Sequence, residues 1–211
     1  MKNYRTILYL VIMMFSILFI LSGCDNETKN AKKIAYISTT KHSQYAKTFT
    51  DLHLGIIYDF NLRLTEADKS WVTLWVEGYE NGEKTEPFRL IELSYGLNPT
   101  SVSEGPMGLG IINPQMEDFS LFLYSTGASI PPHAIKNILN SKGVGATSWS
   151  YAIGDEVEGL EEGETKVLGV YRQAVNSFRT YDYQDTNDVT KMINEDTADL
   201  LLKIKVDRKM K

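Results

Sequence analysis

Of 211 residues only one is cysteine, Cys24, so no internal disulfide forms and stability has to come from packing. Histidine is nearly as scarce. His42, His53 and His133 share no helical or strand spacing with each other or with a carboxylate pair, which leaves zinc without its patterned ligands, and no metal site is expected. No G-x-S-x-G elbow occurs, so serine hydrolysis lacks its usual context. The pairs Gly108-Leu109-Gly110 and Gly143-Val144-Gly145 stop short of a third glycine, and close strand approach or a helix cap accounts for them better than a phosphate cradle. Basic side chains are outnumbered, 22 against 27, with no Lys/Arg stripe, and such a surface repels phosphate backbones. Nucleic acid is therefore not an expected partner, no cofactor is implied, and we expect no catalytic role.

What is present begins with an apolar run. Ile7 to Leu21 contains Ser16 as its one clearly polar residue and follows Lys2 and Arg5, with no acidic residue before Asp25. Crossing the hydrocarbon core takes roughly 20 apolar residues. A signal-peptide core takes about 7 to 15 after a basic start. The run closes on Leu21-Ser22-Gly23-Cys24, an aliphatic residue, two small residues and a cysteine. In this the N-terminus resembles the lipobox of bacterial lipoproteins, over the first 24 residues only. The resemblance implies cleavage before Cys24, a diacylglycerol thioether on its sulfur, and attachment to the cell membrane on its extracytoplasmic face; two acyl chains suit stable anchoring. An uncleaved anchor helix with a chance cysteine is the alternative. Without Lys2 and Arg5 the mature chain carries 20 basic and 27 acidic side chains, a charge of −7.

Composition beyond the leader is globular, 43% hydrophobic and 23% charged over the whole chain, and one domain fits the length. We read residues 1–23 as signal peptide, 24–45 as lipidated cysteine and flexible tether, with Ile34, Tyr36 and Ile37 as a candidate edge strand, and 46–211 as the folded domain. Over residues 52–64, Leu52, Leu54, Ile56, Tyr58, Phe60, Leu62 and Leu64 share one parity, the mark of a half-buried strand. Residues 70–95 read as two strands around Asn81-Gly82, a dipeptide suited to a tight hairpin turn. Further short runs continue to the C-terminus, where Leu200, Leu202, Ile204 and Val206 alternate with partners of the other parity. Seven to nine strands predict an all-β, antiparallel β-sandwich, immunoglobulin-like in outline. One short helix is expected over residues 131–143, where Ile135, Ile138 and Leu139 are spaced for one face and Gly143 follows the end.

Aromatic residues supply the candidate ligand contacts. Trp71, Trp75 and Tyr79 share one strand face with Thr73 and Glu77, opposite Val72, Leu74 and Val76. Exposed, that face is a stacking platform for sugar or peptide; on a central strand covered on both sides it is core, the commoner fate of large aromatics. Tyr181 and Tyr183, beside Phe178 and Asp182, form a candidate recognition loop or a cap on the sandwich. The acidic run Asp155 to Glu164, and Asp182, Asp185 and Asp188, offer oxygen ligands without the EF-hand order, and solvated loops are expected. The reading is a lipid-anchored, non-catalytic binding or assembly module at the cell envelope, its partners the membrane through Cys24 and a protein or envelope glycan. An enzyme acting on envelope polymers and a purely structural lipoprotein are the alternatives.

Overall fold

Alternating hydrophobicity builds two antiparallel sheets that face one another across a shared core. The computed structural model describes residues 32–116, 118–136, 138–139 and 145–209. Residues 1–23, read as signal peptide, Cys24 and Gly143 lie outside the described residues. Strands β1 (Lys33–Thr39), β2 (Gly55–Leu64), β5 (Ser103–Ile112), β6 (Asp118–Ser125), β7 (Ala128–Lys136) and β9 (Glu158–Glu161) form one sheet in the order β7-β6-β5-β2-β1-β9. The other joins β3 (Ser70–Glu80), β4 (Glu83–Gly96), β8 (Ala146–Tyr151), β10 (Thr165–Ala174) and β11 (Ala198–Arg208) in the order β4-β3-β11-β10-β8. Tyr58, Phe60 and Leu62 of β2 meet Val72, Leu74 and Val76 of β3 and Leu200, Leu202 and Ile204 of β11 in that core. The fold is the expected β-sandwich, with eleven strands among the described residues instead of seven to nine.

Among the described residues two helices flank the sheets, α1 (Gln44–Asp51) and α2 (Thr186–Glu195). Neither is where the sequence pointed. The segment read as helical from residue 131 continues as β7 through Lys136, an edge strand. Pro131 and Pro132 fall where the β6–β7 register slips between Leu121 and Leu123, so their missing N–H groups cost no ladder bonds. Residues read as tether also differ, since Lys33–Thr39 is a strand lying between β2 and β9, and α1 begins at Gln44 on a Ser43 cap. The strand expected from residue 52 starts at Gly55, because His53 takes a left-handed φ of 52° and ends the extended run. No helix among the described residues is long and apolar enough to cross a membrane.

Close packing fixes α1 on the outer face of the six-stranded sheet. Phe122 and Tyr124, alternating with the buried Phe119, Leu121 and Leu123, lie flat over Gly108 and Gly110 of β5. Tyr45 and Phe49 of α1 then pack on them, Tyr45 edge-on to Tyr124 at 5.6 Å between ring centroids and Phe49 tilted on Phe122 at 5.7 Å. A β-carbon at Gly110 would sit 1.9 Å from Phe122 Cε1, so Gly110→Ala should displace the ring and cost about 1–3 kcal/mol in chemical denaturation. An unchanged midpoint would show that Phe122 does not need that flat surface.

Strand direction places the ends of the domain. β1 enters at Lys33, where Ala35 stands opposite Leu64, and leaves at Thr39 opposite Phe60. It therefore covers only the C-terminal half of β2, and the first residues of β2 extend beyond it toward α1.

Candidate functional site

The space left by the short β1 is a cleft. Its floor is the N-terminal edge of β2 from Gly55 to Ile57, its roof Ala46, Phe49 and Thr50 of α1, and its far wall Trp149 to Tyr151 of β8. The volume is about 490 Å³, and a neighbouring recess of about 610 Å³ shares Phe49, Gly55, Ile56 and Trp149 before running out to Asn113 and Met116. Trp149 stands in the wall 49% exposed, held edge-on against Tyr58 at 5.8 Å. Lys41 and His42 flank the cleft and His53 lines the neighbouring recess; among the described residues no Asp or Glu lines either. Lys41 pairs with Asp155 on the rim, and that contact is the main cause holding the Asp155 carboxyl below its usual value.

Tyr151 in the cleft wall and the nearby Tyr58 and Tyr124 are hydrogen-bonded. Tyr58 donates to the carbonyl of Val170 at 2.7 Å, and burial pushes its phenol well above the ordinary range. Tyr124 donates to the buried Asp59 at 2.6 Å, and burial with that partner raises it likewise. The Asp59 N–H donates to Tyr151 Oη at 3.1 Å. Among the described residues no histidine shares a hydrogen bond with a hydroxyl or carboxylate, and no three His, Cys, Asp or Glu side chains gather as a metal site. Ser38 and Lys41 have S-x-x-K spacing, which would align them on a helix; at the end of β1 they diverge, Ser38 toward Asn61 and Arg63, Lys41 toward the cleft.

The residues singled out from sequence lie elsewhere, and of the two readings of the Trp71, Trp75 and Tyr79 face the covered one holds at Trp75 and Tyr79, which are not an open platform. Trp75 is 3% and Tyr79 9% exposed, because the outer face of β3 is covered by α2 and by long side chains. Trp75 Nε1 and Tyr79 Oη donate to Glu77 at 2.9 and 3.0 Å, Lys203 reaches the same carboxylate at 2.7 Å, and Arg89 lies over the Trp75 ring at 4.4 Å. Burial opposes the charge on Glu77, yet these donors outweigh it and hold its carboxyl below its usual value. Trp71 is half-buried under Lys209 at 3.6 Å. Tyr181 donates to Glu195 at 2.6 Å and lies against Arg172, and Tyr183 accepts from Ser150 at 3.3 Å; both pack beside α2.

Acidic clusters disperse in the same way. Asp185 caps α2 by accepting from Asn187 and Asp188 at 2.9 Å, and Asp188 pairs with Lys191. Within the run from Asp155, Glu158 pairs with Lys166, Glu161 with Lys33 and Glu162 with Arg208. Beneath α2 a different cluster is buried. Arg172 makes a bidentate pair with Asp196 at 2.5 and 3.1 Å, and both oxygens of the fully buried Asp199 lack a donor among the described residues.

Trp149 escaped attention in the sequence although the signal was there. Thr147, Trp149 and Tyr151 alternate with Ser148 and Ser150, a short strand with an aromatic face and a hydroxyl face, as suits a sheet edge. No family model, curated protein or solved structure matches this chain.

Proposed function

We propose that the chain is a lipoprotein anchored through Cys24 on the extracytoplasmic face of the cell membrane, and that its β-sandwich is a non-catalytic binding module taking a protein or glycan ligand in the cleft between β2, β8 and α1. The observation that carries this reading is Trp149. Trp75 is spent on the packed outer layer of β3 and Trp71 lies under Lys209, whereas Trp149 presents half its surface to a recess of ligand size. An aromatic wall beside hydroxyl and amide groups serves recognition, since it offers stacking area with little entropy to lose. The apolar run and the Leu21-Ser22-Gly23-Cys24 sequence support the anchor.

Two measurements test it. Cys24→Ser should move the protein out of the membrane fraction, and its retention there would refute the lipid anchor. For binding, the detergent-solubilised full chain is melted against wall fragments, oligosaccharides and peptides. A ligand of the folded state at 100 times its Kd adds about 2.7 kcal/mol, a visible rise in Tm. Trp149→Ala should abolish that rise, and a rise unaltered by the substitution would place binding elsewhere.

A further inference from the structure

We infer that the cleft takes an extended acidic peptide, which pairs as a strand with the free edge of β2 in the place that β1 vacates. The inference rests on the cleft as binding site and names its occupant. In an antiparallel ladder, successive residues turn their N–H and C=O groups alternately to the two neighbours. The Leu54 carbonyl accepts from Asn113 at the end of β5, so Ile56 and Tyr58 are bonded to β5. Gly55, Ile57 and Asp59 therefore face the other way. At Asp59 the rung is filled, its carbonyl accepting from Thr40 N at 2.9 Å and its N–H donating to the Tyr151 hydroxyl. Beyond it β1 has ended. Gly55 and Ile57 have no backbone partner on that side among the described residues, and both border the cleft.

Backbone groups of this kind select a peptide over a glycan, because an added strand returns both a donor and an acceptor at each rung. Gly55 to Tyr58 gives an edge of about 13 Å, room for roughly four residues. Charge selects the peptide's character. Lys41 and His42 line the cleft and His53 the adjoining recess, and among the described residues neither lining holds an Asp or Glu, in a chain that is acidic overall. A ligand carboxylate can take the place of Asp155 on Lys41, while an apolar side chain between carboxylates rests on Trp149 and Phe49.

The test uses the full chain in detergent micelles and a labelled hexapeptide alternating Glu with Val and Thr, followed by fluorescence anisotropy and by amide exchange at Gly55 and Ile57. Comparators are the same peptide with Lys for Glu, two versions N-methylated on alternate amides, and oligosaccharide fragments of wall glycan. The acidic peptide should bind at least about tenfold tighter than the lysine version and protect both amides, and one N-methylated set, the one facing β2, should lose about tenfold. Binding indifferent to both methylation patterns, or no peptide binding at all, would overturn the inference. If an oligosaccharide perturbs Trp149 and the peptides do not, the cleft stands as a binding site and the peptide falls; if nothing perturbs it, both readings fall.

Discussion

Replacing Asp199 by asparagine should stabilise the protein at pH 7 by about 3 kcal/mol, on the order of 10 °C in Tm. Asp199 faces Arg172 on one side and Tyr79 on the other in the strand register, and is wholly buried. Burial first, then the charge of Asp196, pushes its carboxyl up to about 9 against the pull of Arg172. Arg172 is already committed to Asp196 and to the carbonyl of Arg179, so the carboxylate of Asp199 has no cation of its own. One proton turns it into a donor toward Asp196. The unfolded chain holds that proton only below about pH 4. Stability from this group is therefore complete below pH 4 and falls by about 1.4 kcal/mol per pH unit until the folded value is passed. Asparagine donates to Asp196 without taking up a proton, so Asp199→Asn should flatten denaturation midpoints between pH 5 and 8. A variant that keeps the wild-type slope would show that another group is responsible. Glu77 works in the opposite sense, its lowered value giving stability that is lost only as acid protonates it.

Glu77→Ala should cost about 3 kcal/mol or more, the largest loss expected from a single truncation on the outer face of β3. The carboxylate is the common acceptor for Trp75, Tyr79 and Lys203, so its removal strands one charge and two buried donors at once. Glu77→Gln keeps an acceptor without the charge and should lose less. In the double variant Glu77→Leu/Lys203→Met the buried ion pair gives way to apolar side chains, and much of the loss should return. Equal destabilisation of the double variant and Glu77→Ala in urea would mean that shape, not the stranded ammonium, sets the cost.

Periodicity made the central strands legible. The β2 parity from Ile56 to Leu64, the Asn81-Gly82 turn with φ of 50° and 85°, and the alternation of β11 all follow from one face meeting a core. Helices were harder to read. Val189, Met192 and Ile193 have helical spacing, but Asp182, Asp185 and Asp188 around them read as a solvated loop, when Asp185 is a cap. The same helix buries Tyr79, so missing it left an aromatic ladder looking available. The cleft was not legible at all. It arises because β1 stops opposite Phe60, a register fact that no local pattern encodes.

The direction of β1 has a bearing on reach. Ten residues of β2 separate the Leu64 end, where the chain enters through Lys33, from Gly55 at the cleft, about 30 Å along the strand. The chain therefore joins the domain at the end of β2 remote from the cleft, and a ligand seated at Gly55 need not touch that junction.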